Sequence, residues 1–417
     1  MTNHPTDAAV RAQYEALPYP ARDPRDEAKR LIVGSPSHLL EIDHYVFGGR
    51  RDWSTPFRAL FAGGGTGDGA IMLAQQLADL GCPAELVHLD ISEAAQAITQ
   101  ARAEKRGLSA LRCVPGSLLD IPSLGLGTFD YIDCCGVLHH LADPAAGLAA
   151  LVGALAPDGG IGLMVYGRLG RTGVYEMQGL LRRIAGPEGP GAEPKQRVQR
   201  ARKLIADLPP TNWLVRNPNL SDHVEGGDAG LFDLLLHARD RAYSVEEIAA
   251  LIGAAALRLV TFIEPARYDP LSYVRDPALR RALSELDPIA RAAAAETISG
   301  SMARHAFYAV RRDNAVTPAA LDSDDAMPML RNVDPAKLAQ ALGTRGVLIA
   351  GDGALQLRQP VPVISGAIVA RLDDKKTLGA LRAELEPLVK SSDLDADIQA
   401  LYRALNAVNL MLVRYRR

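Results

Sequence analysis

Cysteine is scarce in this 417-residue sequence: four residues, Cys82, Cys113, Cys134 and Cys135, with no Cys-x-x-Cys pair among them. That excludes a disulfide framework and a thiolate zinc site, and suits reduced core thiols. Adjacent Cys134 and Cys135 lie in an apolar run, where a strand would point them to opposite faces. A long apolar run is also missing; nothing approaches the roughly 18 residues that a membrane-spanning helix needs. The start, MTNHPTDAAV, lacks the basic-then-apolar pattern of a secretory signal. These absences predict a cytoplasmic protein with no membrane partner. An excess of one charge is absent too: 46 basic against 49 acidic residues leave a net charge of −3. Bulk charge therefore does not hold this chain to nucleic acid. No internal repeat is visible.

What is present is ordinary globular composition, 48% hydrophobic and 23% charged, ample for a core and enough chain for two to three domains. Residues 1–55 read as a leader, in which Pro18, Pro20 and Pro24 punctuate YEALPYPARDPRDE, a stretch expected to be extended or turn-like. Ser35 and Ser37 flank Pro36 ahead of HLLEIDHYVF, a capped helix by pattern. His38 and His44, six apart on it, do not share a ligand face, and no metal is expected. Over about 57–166, short apolar strands (FRALFAG, AELVHLDIS, FDYIDCCGV, GIGLMVYG) alternate with helical patterns. Such alternation implies a parallel sheet with helices on both faces. The rhythm stops at 167–242, rich in Gly, Pro and charge, with one helical stretch at KQRVQRARKLIADL. Its Lys195, Arg197, Arg200, Arg202 and Lys203 read first as a solvated face, with contact to RNA or an acidic protein as the alternative. The rhythm resumes from Ser244 and, after a helical insertion at 265–302, closes with RHAFYAVRR.

The expected division is therefore a leader at 1–55, an α/β domain at 56–313, a polar linker at 314–327, and a small α+β module at 328–417. In that module GVLIAGDGALQLR reads as a hairpin. Leu394, Ile398, Leu401, Leu405, Val408 and Leu412 form one apolar stripe on a final helix. Either the module's own core or a second copy of the chain, in a homodimer, would cover that stripe.

The strongest motif is Leu60-Phe61-Ala62-Gly63-Gly64-Gly65-Thr66-Gly67-Asp68-Gly69, between the first strand and a helix. Glycines there admit a ligand close to the backbone, and the helix start offers free N–H groups. The Gly-x-Gly-x-x-Gly spacing of a dinucleotide site is absent, and so is the Gly-Lys-Ser/Thr ending of a phosphate loop. Asp90 ends the second strand, 23 positions after Gly67. An acid there can accept both ribose hydroxyls or cap the following helix.

LFAGGGTG, HLDIS, GSLLDIP, FDYIDCCGVLHHLADP and LAPDGGIGLMVY, in that order, resemble the successive motifs of class I S-adenosylmethionine-dependent methyltransferases. The resemblance implies a Rossmann-like, doubly wound sheet of seven strands with the last antiparallel, S-adenosylmethionine as cofactor, and a methyl acceptor that is a protein or a small molecule. It implies that Gly63, Gly65, Thr66 and Gly67 cradle the methionine part and ribose, that Asp90 holds the ribose and that Ile91 packs on adenine. Ser117 and Leu118 would contact the adenine edge, with Cys135 and Gly136 under the sulfonium. Phe61 stands where the family usually has an acid, and Ser117 where it often has Asp; Asp68 is the candidate substitute for the first. Tyr19 and Arg22 belong to a leader that would fold over the cofactor, Arg22 on the methionine carboxylate. His139 or His140, after the fourth strand, is the candidate general base, and Tyr166 a further one. The acceptor leans to a protein or peptide side chain. The C-terminal module is similar to winged-helix modules that follow this domain in some bacterial protein methyltransferases.

Overall fold

A computed structural model describes residues 5–184, 194–343, 346–351, 355–388 and 393–416. The chain forms two compact units that interleave in sequence. The first comprises residues 1–38, 53–258 and 300–311; the second comprises 39–52, 259–299 and 312–417.

The main sheet consists of β1 (Phe57–Ala62), β2 (Ala84–Asp90), β3 (Leu111–Pro115), β4 (Phe129–Cys135), β5 (Leu155–Tyr166), β6 (Leu257–Phe262) and β7 (Arg304–Arg311), in the order β3-β2-β1-β4-β5-β7-β6. β1 to β5 are parallel, and β7 runs antiparallel to β5. This is the fold of class I methyltransferases, as the motif order implied. Phe57, Ala59, Leu60, Phe61 and Ala62 of β1 are all buried. An unbroken apolar run is the mark of a central parallel strand covered on both faces. The strand order reverses between β1 and β4, so the carboxyl ends of these strands diverge and leave a crevice for ligands.

Helix Asp68–Asp79 starts at Gly67, whose φ of 91° is left-handed. Helix Glu93–Arg106 is capped by Ser92, whose hydroxyl accepts the Ala95 amide at 3.1 Å, and stops at left-handed Gly107. The cap is thus Ser92, and Asp90 is left for other work.

The Pro-punctuated stretch is extended or turn-like from Leu17 on, with one tight turn at Pro24–Ala28, while its first residues, Tyr14–Ala16, end the helix Pro5–Ala16. Two expectations for this unit need correction. Residues 167–242 hold more than one helix. Val174–Ile184, Pro194–Ala206 and short turns over Asp222–Leu236 pack Val174, Leu181, Val198, Leu231 and Leu235 into a core of their own. The step of three and four at Val174, Met177 and Leu181 was hidden among glycines; residues 185–193 lie outside the described ones. Arg197 is buried against the Phe232 ring, so this helix is not solvated all round.

The second unit contains two small antiparallel sheets: β8 (Ala326–Leu330) with β11 (Met411–Tyr415), and the hairpin β9 (Val347–Ala350) with β10 (Leu357–Pro360). The hairpin was expected, although its turn at 352–354 lies outside the described residues. The segment expected as a linker is packed: Ala319 and Leu321 are buried, and the Tyr402 hydroxyl donates to the Ala319 carbonyl at 3.1 Å. The pattern HLLEIDHYVF forms a short helical turn, Leu39–Glu41, continuing as a π-helical one, Ile42–Val46. The final stripe is not one helix. Helix Leu394–Ala407 stops, Asn409 takes a left-handed φ of 58°, and Leu412 lies on β11. Asn tolerates that conformation better than most residues. Ile398, Leu401, Leu405 and Val408 enter this unit's own core, so the stripe calls for no second chain.

His44, also in this unit, is 1% exposed, and the Val413 amide donates to its Nδ1 at 2.9 Å. Burial depresses its pKa to about 4, against the opposing pull of the Val413 carbonyl beside the same nitrogen. The unfolded chain, with an ordinary imidazole near 6.5, binds a proton that the folded chain refuses. Stability contributed at neutral pH is therefore lost as pH falls from about 6.5 towards 4, by up to ~3 kcal/mol. Urea unfolding of the wild type and His44→Gln across that window checks this. The gap between the two should shrink as pH falls, and a constant gap would refute the assignment.

Candidate functional site

The glycine loop leaves the carboxyl end of β1. Gly63, Gly65 and Gly67 have φ of 76°, 54° and 91°, a left-handed run that only glycine adopts freely. The Gly63 amide donates to the Leu89 carbonyl at 2.7 Å, tying the loop to β2. Asp90, at the end of β2, accepts from the Gly65 amide through Oδ2 at 2.8 Å and from the Ser92 amide through Oδ1 at 2.9 Å. It is largely buried, and each oxygen retains a lone pair for a further donor. Beyond it stand Ile91, half-buried, and Leu118, buried. Ser117 is engaged locally: its hydroxyl accepts the Leu119 amide at 3.2 Å, and its own amide donates to Asp120. Cys135 and left-handed Gly136 close β4, with the Gly136 amide donating to Met164. The fit to S-adenosylmethionine rests on this cradle: a Cβ on Gly63 or Gly67 would lie within 2.7 Å of Val137 or Thr99 atoms. A loop built without side chains and paired with an acid suits a nucleoside whose amino-acid tail lies along backbone.

The leader lies directly on this loop. The Thr66 hydroxyl donates to the Pro20 carbonyl at 2.7 Å, and the Tyr19 carbonyl sits 2.8 Å from where a Gly65 Cβ would be. Arg22 grips Asp68 with two nitrogens, its Nη2–Oδ2 distance being 2.6 Å, and Arg102 donates to the other oxygen at 2.7 Å. Arg102 also meets buried Glu27 at 2.7 Å, and Arg106 pairs with the same carboxylate. Burial would raise the Asp68 carboxyl, but the two guanidiniums hold it below the ordinary range. Asp68 therefore anchors the leader in this state; both its oxygens are taken, which leaves it a poor stand-in for the family's acid at Phe61. Arg22 is held by Asp68.

Across β4 and β5 lies a second group that the sequence showed only in part. His139 is 1% exposed, stacks 3.8 Å from the Tyr166 ring and accepts the Tyr166 amide through Nδ1 at 3.2 Å. Burial, then His140 and Arg171, push its pKa well down. Neutral His139 thus spends its one lone pair on backbone. His140 differs: its Nδ1 donates to the Arg239 carbonyl at 2.8 Å, which leaves Nε2 with a free lone pair. Around it stand Asp233 and His237 from the 167–242 segment and Tyr14 from the leader helix. The Tyr14 hydroxyl lies 3.0 Å from Asp233 Oδ1, and the Tyr166 hydroxyl 2.7 Å from Oδ2. Burial, then the Asp233 charge, raise both phenols well above 10, so both remain donors. Sequence reading missed Asp233 and His237. The available signal was their spacing of four in FDLLLH, which places two polar groups on one face of a helical turn.

Within this first unit, residues 60–161 match the family model of the methyltransferase domain. An uncharacterized protein of a Synechococcus strain is 31% identical over 264 residues, 63% of this chain and 61% of that protein. The chain thus spans less than two thirds of that relative's length. PKMT2 of Rickettsia typhi, solved in complex with AdoHcy, has a TM-score of 0.59 at 12% identity, covering 91% of this chain and 75% of its own. Another PKMT2 structure gives 0.59 at 14% identity over 98% and 75%. The likeness to PKMT2 extends well beyond the methyltransferase domain, to nearly the whole of this fold.

Proposed function

We propose that the chain is a S-adenosylmethionine-dependent methyltransferase whose acceptor is a protein or peptide side chain, with His140 as general base. The carrying observation is His140 itself: an imidazole with one free lone pair, fixed by a backbone carbonyl, in the turn that follows the β4 end beside the glycine loop. The methyl group, electrophilic on its sulfonium, comes with the bound cofactor. The chain's own part is to hold the acceptor in line and take its proton; positioning supplies much of the rate of such displacements. Gly63, Gly65, Thr66 and Gly67 would hold the methionine portion, Asp90 the ribose, and Ile91 and Leu118 the adenine. Tyr19 and Arg22 would close the leader over them. The protein acceptor is supported by the fold shared with PKMT2, which runs past the methyltransferase domain, and by the large 167–242 segment beside the site. Incubation with radiolabelled cofactor and lysate tests it: label in protein bands is expected, whereas label only in the small-molecule fraction would move the acceptor class.

Asp90→Ala should weaken S-adenosylhomocysteine binding by about tenfold or more in calorimetric titration, because the ribose loses a charged acceptor worth ~1.5–3 kcal/mol per hydrogen bond before water compensates. An unchanged dissociation constant would remove Asp90 from the site.

A further inference from the structure

Asp233 is 4% exposed, yet the partners that reach it are two neutral phenols. Among the described residues no ion pair reaches it. Buried Arg171 is matched by Asp240 at 2.9 Å and lies over the Tyr166 ring. An ionised carboxylate kept dry without a countercharge is costly unless something supplies one. The neighbouring hydrogen bonds are directional. The Arg239 amide donates to His237 Nδ1 at 3.0 Å, so His237 Nε2 carries the proton; it stands 3.2 Å from the Tyr14 oxygen and donates to it. Tyr14 passes its own hydrogen to Asp233. The chain of donors thus converges on the carboxylate, and the lone pair that stays open is His140 Nε2.

The set of His140, Asp233 and His237, with candidate ligand atoms within 4.8 Å of one another, also has the composition of a metal triad. The protonation pattern opposes that. His237 cannot offer Nε2 to a metal while Nδ1 accepts an amide hydrogen, which leaves only His140 Nε2 and Asp233, fewer protein ligands than a metal site of this kind needs.

We propose that Asp233 is the acceptor-binding carboxylate of this site, that Tyr14 and Tyr166 orient it, and that the acceptor is an amine entering as its ammonium cation. This rests on the methyltransferase reading. The ammonium docks against Asp233 and supplies the missing countercharge. Its proton passes to His140 Nε2, giving the neutral amine and an imidazolium. With the cofactor bound, that amine lone pair would take its methyl group, a C–N bond replacing the C–S bond, and the positive charge would pass from sulfur to nitrogen, leaving the methylated ammonium and neutral S-adenosylhomocysteine. A second carboxyl, Asp222, lies within electrostatic reach of Tyr19 and Asp233 on the same side, beside Arg304.

The test uses the full chain saturated with S-adenosylhomocysteine, probed with n-butylammonium and with 1-butanol of the same shape. Calorimetry should show butylammonium binding at least about tenfold tighter than butanol, a charge-assisted preference. Asp233→Asn should erase that preference while S-adenosylhomocysteine affinity stays put. The wild-type preference alone is decisive even where the variant folds poorly. Equal binding of the two probes, or a preference that survives Asp233→Asn, would overturn the proposal. So would Zn²⁺ or Mn²⁺ binding that Asp233→Asn abolishes, since the triad would then be a metal site. Failure of S-adenosylhomocysteine to bind at all would bring down the methyltransferase reading, and this one with it. Normal cofactor binding without discrimination between the probes brings down this inference alone.

Discussion

Truncation after Asp313 is expected to give insoluble protein, not a free-standing cofactor-binding domain. Linear order suggests that a cut there would separate an α/β domain from a tail. Yet the truncated chain would keep 39–52 and 259–299, both parts of the second unit, and lose the 104 residues they pack with. Ile42, Tyr45 and Val46 are all but fully buried. Tyr45 donates to Asn409 at 3.1 Å, Asn409 donates to buried Glu41 at 2.8 Å, and the Tyr415 amide donates to the Gly49 carbonyl at 2.9 Å. Glu41 also loses Arg331, its ion-pair partner. Baring three large apolar side chains loses ~1.5–3 kcal/mol each, and taking Arg331 from a buried carboxylate adds to that. Against a total stability of roughly 5–15 kcal/mol, that is enough to unfold the segment. The measurement is the soluble fraction on expression, alone and with residues 314–417 supplied as a separate chain. Rescue by the fragment is expected. A soluble, monodisperse truncation that binds S-adenosylhomocysteine would show the first unit to be independent.

The main sheet was legible because central parallel strands are apolar without interruption, as Phe57–Ala62 is. The glycine loop and Asp90 were legible because backbone conformation dictates residue type at Gly63, Gly65 and Gly67. What the sequence hid was mostly long-range. Residues 39–52 look like a leader helix, and only partners some 360 positions away, such as Asn409 and Val413, assign them to the second unit. Leu412 kept helical phase with Leu405 by coincidence, while Asn409 ended the helix between them. Asp68 read as a free acid because nothing local announces that Arg22 and Arg102 both reach it. The His140 neighbourhood draws Tyr14 from the leader and Asp233 and His237 from the 167–242 segment, and one-dimensional spacing could show only the last two together.

Gly65→Val is expected to abolish S-adenosylhomocysteine binding, by ~100-fold or more, with a much smaller effect on folding. Two effects act at one position. The residue sits at a φ of 54°, which a β-branched side chain resists at roughly 1–2 kcal/mol. Its Cβ would also lie 2.8 Å from the Tyr19 carbonyl, so either the leader lifts or the loop turns. If the loop turns, the Gly65 amide swings away from Asp90 Oδ2, and the acid loses its orientation. If the leader lifts, the Thr66–Pro20 and Arg22–Asp68 contacts open, and the site loses its cover. Either route disrupts the cradle, whereas the strain by itself is only a fraction of the protein's stability. A control separates strain from obstruction: Gly107 has a similar φ of 70° at the end of a helix, and a Cβ there meets nothing within 4 Å. Gly107→Ala should therefore cost about 1 kcal/mol in urea unfolding and leave the dissociation constant unchanged. Gly65→Ala should lose binding in part, and Gly65→Val entirely. Normal binding by Gly65→Val, measured beside a Gly107→Ala chain that behaves as described, would place the cofactor away from this loop.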